Sequence, residues 1–499
     1  MSQSFILAID QGTTSSRSLL VDHAGSIVFN SQKEFTQYFP KPGWVEHDPF
    51  EIWSSQLSTI KEALEYADSI DARIEAIGIT NQRETTIVWD KTTGLPVYNA
   101  IVWQDRRTTE YCESLKQEGW MDTIHQKTGL WVDAYFSASK IRWILKHLES
   151  QNIDIDLRNL VFGTVDSWLI YKLTNGAVHA TDVSNASRTM IYNIVDLEWD
   201  KTLLDKFNIP DYMLPEVKSS KDNIGITHSA VLGKEIPICS AIGDQQSALF
   251  GQLCTQEGAL KNTYGTGCFL VMNTGRTLKY SKHKLLSTIA WKVNGTVHYA
   301  LEGSVFVGGA IVQWLRDGLE LFNSSDEVEA LAHSVKDNGG VYFVPALTGL
   351  GAPYWDSNAR GAIIGITRGT RKAHIARAAL EGIALQVFDI VKAMNEDLGA
   401  PIAELKVDGG ASANNLLMQL QSDLIEANVV RPAVLESTAL GAAFLAGLEV
   451  GFWDSIDDLK ALLKVDKTFK PKMNELEKEN LIRNWHKAIG RTKNWIDEN

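Results

Sequence analysis

The sequence predicts an α/β fold built from two similar domains facing one another across a cleft, and three observations predict it. At 499 residues the chain is too long for one hydrophobic core and suits two large domains. Phe5 to Asp22, FILAIDQGTTSSRSLLVD, runs apolar, then small and polar, then apolar again, which reads as strand, turn and returning strand. About half a chain later Gly258 to Met272 repeats the plan around Tyr264-Gly-Thr-Gly267, and two such hairpins point to a duplicated fold. The expected division is a first domain over 1–252 and a second over 253–499.

Hydrophobic residues at 44% and charged residues at 22% are ordinary for a globular protein. The net charge of −13 argues against a general nucleic-acid binder or a protein seated on anionic lipid, which need excess Lys and Arg. Small anions can still be held by local donors. Met1-Ser-Gln-Ser-Phe-Ile lacks a basic n-region, and Asp10 soon interrupts the apolar run, so no signal peptide is expected. No window is apolar enough to span a bilayer. Cys112, Cys239, Cys254 and Cys268 lack metal-ligand spacing and fit buried thiols in a reducing cytoplasm.

The first hairpin is the first candidate site. Gly12 can take a positive φ and lets a ligand approach the backbone, while Thr13, Thr14, Ser15 and Ser16 offer hydroxyls and N–H groups to an anion. Asp10 ends the strand where a carboxylate could hold a hydrated Mg²⁺. An ordinary hairpin with self-satisfied hydroxyls is the alternative. There is no Walker A sequence.

A turn at His23-Ala-Gly-Ser and a third strand complete the meander. Asp48 and Pro49 then start a helix that runs to about Ala67. The apolar strand Ala72 to Thr80 delivers Asn81-Gln-Arg-Glu-Thr-Thr86 beyond its C-terminal end, the edge where α/β folds bind ligands. Arg83 and Glu84 read either as an exposed salt bridge or as donors and acceptors for a small polyol. Ile101 to Arg107 reads as another strand, with Trp103 as core or pocket wall. Ser137 is expected to cap a helix that carries Ile141, Ile144 and Leu145 inward and leaves Tyr135 on a cleft-facing loop.

Leu160 to Tyr171 reads as strand then helix, and Asp182 to Met190 as a polar loop with no assigned chemistry. Ile236 to Gly251 is a buried strand ending at Gly243, with Asp244 at the turn and a helix behind it. Asp244 is placed either to cap that helix or to act as general base for an alcohol. After the second hairpin, Leu301 to Leu315 opens loosely into a helix, with Gly308 and Gly309 permitting close packing. His374 to Met394 is a long helix. Glu404 to Asn415 offers a strand, a Gly-Gly turn and a helix start suited to phosphate or a nucleoside. Leu435 to Gly447 is a small-residue helix, and the segment beyond Asn474 reads as a surface helix whose apolar stripe includes Trp485 and Trp495.

Taken together, Asp10-Gln-Gly-Thr-Thr-Ser-Ser-Arg17, Asn81-Gln-Arg-Glu84, Gly243-Asp-Gln-Gln246, Tyr264-Gly-Thr-Gly-Cys268 and Val407-Asp-Gly-Gly-Ala-Ser-Ala-Asn-Asn415 resemble the sugar-kinase family of the actin and Hsp70 ATPase superfamily over nearly the whole chain. The resemblance implies two actin-like, ribonuclease H-like domains, with ATP and Mg²⁺ in the cleft and phosphoryl transfer to the sn-3 hydroxyl of glycerol. By the same resemblance, glycerol is held by Arg83, Glu84, Tyr135, Asp244 and Gln245 between Trp103 and Phe269, with Asp244 as base. Thr13, Thr14, Ser15, Arg17 and Thr266 meet the ATP phosphates, and Gly309, Gln313, Gly410 and Asn414 the nucleoside. Asp10 and Asp244 organise Mg²⁺. Homodimers or homotetramers are also implied.

One stretch departs from the family pattern. Thr227-His-Ser-Ala-Val-Leu-Gly-Lys-Glu-Ile-Pro237 lacks most of the glycines and the Arg of the loop by which many relatives bind fructose 1,6-bisphosphate. His228 is a candidate for phosphorylation by a phosphotransferase-system carrier protein, against the reading of an exposed His without function. Competing functions are a kinase for xylulose or gluconate and an actin-like ATPase without a polyol substrate.

Overall fold

The computed structural model describes residues 3–151 and 155–496, and two large sheets organise it. The first orders its strands Lys221–Ile226, Pro237–Gly243, Arg73–Asn81, Ser4–Gln11, Ser15–Val21 and Ile27–Glu34. The second runs Leu286–Val293, Thr296–Val305, Cys268–Gly275, Leu260–Tyr264, Glu404–Asp408, Asn428–Pro432 and Val465–Phe469. Each contains three neighbouring antiparallel strands whose first pairs in parallel with a later strand, although in the second sheet Leu286–Val293, which falls between the second and third in sequence, takes the outer edge. A second parallel strand follows on the same side. The expected duplication is thus written into strand order.

Strand Ser4–Gln11 shows why the first sheet is covered on both faces. Phe5, Leu7 and Ile9 pack with Ile52 and Ile60 of helix Pro49–Ser69. Ile6 and Ala8 pack with Ala439, Ala442 and Ala443 of helix Ser437–Glu449. Successive side chains point to opposite faces, so a strand buried on both reads as an unbroken apolar run. Helix Pro49–Ser69 begins as expected, with the Asp48 carboxylate accepting from Phe50 N at 2.8 Å. Helix Ser437–Glu449 approaches so closely that a Cβ on Gly78 would lie 2.3 Å from Ala442 O, and one on Gly441 1.9 Å from Ser247 O. Residues 437–462, expected with the second half, therefore lie against the first sheet; Trp453 Nε1 donates to His23 O at 3.0 Å.

Several local expectations are corrected. The strand expected over Ile101–Arg107 is only Ala100–Ile101, paired with Glu46–His47. Beyond it, Asp105 turns the chain by accepting from Val45 N at 2.7 Å and Arg107 N at 2.8 Å. Ser137 is the first helical residue of Ser137–Ser150, not its cap, and its hydroxyl donates to Glu84 O at 2.9 Å. Leu301 does not open a loose segment but continues strand Thr296–Val305. Trp485 is fully buried and donates to Asp389 Oδ2 at 2.8 Å, whereas Trp495 is exposed. The positive φ open to Gly12 is not adopted; Gly12 N closes its three-residue loop by donating to Ser15 O at 2.9 Å.

Candidate active site

Register brings the candidate residues to one edge. In the first sheet Gln11 and Gly243 both pair with Asn81, so Asp10, the Gln82–Glu84 segment and Asp244 leave three adjacent parallel strands at the same C-terminal end. Gln82 ties this edge to the hairpin, donating to Gln11 Oε1 at 3.1 Å and Gly12 O at 3.0 Å. In the second sheet Thr263 pairs with Asp408, which sets the Gly265–Gly267 turn beside Gly409 and Gly410.

Arg83 and Glu84 are buried, which removes the reading of an exposed salt bridge. Arg83 makes a two-pronged contact with Glu302, Nη1 to Oε2 at 2.5 Å and Nη2 to Oε1 at 3.0 Å. Its Nε lies 3.2 Å from Asp244 Oδ1 and 3.8 Å from Glu84 Oε1. Glu84 sits at φ 60°, a left-handed conformation costing a non-glycine residue roughly 1–2 kcal/mol. The surroundings hold it there: Ser137 and Thr86 hydroxyls donate to its carbonyl, and Arg188 Nε donates to its Oε1 at 2.6 Å.

Asp244 is the first residue of helix Asp244–Gly251 and does not cap it; the N-cap is Gly243. Its side chain is 28% exposed, and burial pushes its carboxyl up to about 6 against the pull of Arg83. Gln245 Oε1 accepts from Lys261 Nζ at 2.5 Å, and Lys261 also reaches Thr263 Oγ1 at 2.8 Å. Burial draws the Lys261 ammonium down to about 8, opposed by Asp408 and Asp244. Trp103 forms part of an aromatic wall, its ring 5.7 Å from Tyr135 and 6.3 Å from Phe269, centroid to centroid. The Trp103 indole N–H donates to Thr13 Oγ1 at 3.0 Å, which joins the wall to the hairpin.

Arg17 is held by Asp10 on its own hairpin and by Glu436 from the distant end of the chain. Ser15 Oγ accepts from Gln32, while Thr14 is exposed at the turn. Thr266, Gly309, Gln313, Gly410 and Asn414 line one cavity of about 420 Å³, together with Tyr264, Leu380 and Leu417. Glycines shape it by close approach, since a Cβ on Gly309 would lie 2.7 Å from Gly265 O. Asn414 also caps helix Asn415–Ile425, accepting from Leu417 N at 2.9 Å. Among the described residues no group of three or more His, Cys, Asp or Glu side chains could hold a metal alone. Asp10 and Asp244 fit an ion that keeps most of its ligands from water and phosphate, as Mg²⁺ does. His228 is exposed and caps a four-residue helix, its Nδ1 accepting from Ala230 N at 3.1 Å.

Arg188, Glu302 and Lys261 escaped sequence reasoning. Arg188 lies in a loop given no chemistry, Glu302 in a segment read as opening loosely toward a helix, and Lys261 in a hairpin read for its Gly/Thr turn. A charged residue inside an otherwise apolar strand, as in Ala300-Leu-Glu-Gly303 or Ala259-Leu-Lys-Asn262, was the available signal.

The model of the N-terminal domain of the FGGY family of carbohydrate kinases matches residues 5–251, and that of its C-terminal domain residues 260–450. The chain belongs to this family. It is 59% identical to a glycerol kinase of Parabacteroides distasonis, over 99% of each chain. The solved glycerol kinase of Plasmodium falciparum with ADP is 41% identical and superposes with a TM-score of 0.93 over 98% of each chain. The gluconate kinase of Lactobacillus acidophilus, 24% identical with a TM-score of 0.88 over 98% of each chain, shares the fold. In this FGGY kinase the two family models meet between Gly251 and Leu260, on the link between the sheets.

Proposed function

We propose that the chain is an ATP-dependent glycerol kinase that forms sn-glycerol 3-phosphate, acting in the cytoplasm in glycerol uptake and catabolism. The observation that carries this reading is the convergence of Arg83, Glu84 and Asp244 beside the rings of Trp103, Tyr135 and Phe269. Charged donors and acceptors suit the hydroxyls of a small polyol, and the rings suit its carbon edge. The 59% identical glycerol kinase supports the choice of polyol.

Asp244 takes the proton of the attacking hydroxyl, whose oxygen bonds to the γ-phosphorus of ATP as the bond to the β-phosphate oxygen breaks and ADP leaves. A carboxyl near 6 is mostly ionised at neutral pH yet basic enough to accept that proton. Arg83, Glu84, Tyr135 and Gln245 orient the polyol. Thr13, Thr14, Ser15, Arg17 and Thr266 supply donors to the phosphates, and the 420 Å³ cavity with Gly309, Gln313, Gly410 and Asn414 receives the nucleoside. Phosphoryl transfer has a loose transition state, so alignment and charge stabilisation do most of the catalysis. Mg²⁺, held by Asp10 and Asp244 through water, would supply neutralisation of phosphate charge. Closure of the cleft would keep water from competing as acceptor. A homodimer or homotetramer belongs to the same reading. Coupled measurement of ADP release with and without glycerol tests it: strong stimulation is expected, and release indifferent to glycerol but driven by xylulose or gluconate defeats it.

A further inference from the structure

Two of the residues proposed to orient the polyol, Arg83 and Glu84, are each held by a charged side chain to which no role has yet been given. Glu302 lies on strand Thr296–Val305 of the second sheet, fully buried, and grips both prongs of Arg83 from the first. Arg188, also fully buried, donates to Glu84 Oε1 at 2.6 Å and to Glu302 Oε1 at 3.0 Å. Its guanidinium carbon sits 5.6 Å from the Tyr135 ring centroid. Arg188 and Arg83 hold the Glu302 carboxyl down to about 2 despite its burial. The result is a closed chain of alternating charge, Glu84, Arg188, Glu302, Arg83, which crosses from one sheet to the other.

The segment carrying Arg188 braces the rest of the pocket too. Ser184 Oγ accepts from Gly243 N at 2.9 Å, immediately before Asp244. Asn185 exchanges hydrogen bonds with Asn81, at the foot of the Gln82–Glu84 segment.

We propose that Glu302 and Arg188 are positioning residues for the polyol. Glu302 fixes the Arg83 fork so that its Nε faces Asp244, and Arg188 fixes the left-handed Glu84, so the pocket is complete only when the second sheet is seated against the first. Planar forks matched to carboxylates fix direction as well as distance, which a lone ammonium does not. This assignment rests on the glycerol kinase reading.

The test is steady-state kinetics of the full chain as E302Q, E302D and R188K, with thermal melting alongside. Wild-type chain without glycerol-dependent ADP release overturns the glycerol kinase reading and this assignment together; the remaining outcomes concern an active wild type and separate the two. In folded E302Q the KM for glycerol is expected to rise about 10- to 100-fold, the range for losing a charge-assisted hydrogen bond. The KM for ATP should stay within about twofold, and kcat should fall less than the affinity does. The preference for glycerol over propane-1,2-diol should shrink, and E302D should recover part of it. An unchanged glycerol KM, or equal rises for glycerol and ATP, overturns the proposal. If E302Q fails to fold, R188K, which keeps the charge and loses the fork, decides on the same division between the two KM values.

Discussion

Replacing Asp244 by Asn keeps the side-chain shape and removes the charge proposed to accept the substrate's proton. The kcat of D244N should fall about 10²- to 10⁴-fold, the span for losing a general base, and near-normal turnover would strip Asp244 of the role. Its carboxyl titrates near 6, so it is protonated and inactive below that pH and activity should climb as pH rises through it. Lys261 titrates near 8 and loses its charge above that pH, which slackens its hold on Gln245, so activity should decline again. The log of kcat/KM for glycerol should therefore trace a bell, and K261M should lack the alkaline limb; a flat profile from about pH 5 to 9 would contradict both assignments. These residues differ sharply in how they could be read beforehand. Arg83, Glu84 and Asp244 sit at strand ends, where a charge after an apolar run is visible. Glu302 and Lys261 sit inside strands, and what neutralises them lies on other elements, Arg83 and Arg188 for Glu302, Asp408 on the next strand and Asp244 for Lys261.

Among the elements, helix Ser437–Glu449 makes the tightest contact described, and it does so with residues chosen for the absence of bulk. A Cβ on Gly251 would lie 2.0 Å from Ser437 O, and one on Gly441 1.9 Å from Ser247 O, so a side chain at either position must push backbone away. Gly441→Val should destabilise the fold by about 1–3 kcal/mol or more, the usual cost of overpacking, read as a lower denaturation midpoint. Gly309→Ala should act elsewhere. Its Cβ meets Gly265 O at 2.7 Å, so the turn lining the cavity proposed for the nucleoside shifts, raising the KM for ATP about 10-fold or more and leaving the glycerol KM alone. Elements with strong periodicity and caps were legible: Asp48 and Pro49 announce their helix, which ends at Ser69, near the expected Ala67. The strand expected after Ile101 was not, because Asp105 bends the backbone by bonds that the apolar run Ile101-Val-Trp103 does not betray. The freedom that Gly12 offers is not used, since the loop closes without a positive φ there.

At the scale of the molecule, the duplicated sheets were legible because each carries its own hairpin signature, whereas the ionic seam between them was not. That seam has a pH signature. Glu302 titrates near 2 in the fold against an ordinary 4.5. A depressed carboxyl contributes stability that is full above the unfolded value and lost as pH falls toward the folded one. Wild-type chain should thus lose more thermal stability between pH 4.5 and 2 than E302Q does, measured by melting across that range; parallel losses would remove Glu302 from the account.

The backbone passes between the sheets more than once: outward after Gly251, back before helix Ser437–Glu449, and outward again to strand Val465–Phe469. Severing it between Gly251 and Leu260, where the family models meet, would leave the leading fragment with one face of its central strands bare, since Ala439, Ala442 and Ala443 would depart with the other piece. Neither fragment should be obtainable alone in soluble form, and co-expression of both should restore what separate production cannot. The halves share a strand pattern, and helix Ser437–Glu449 packed on the first sheet ties the folding of one to the other.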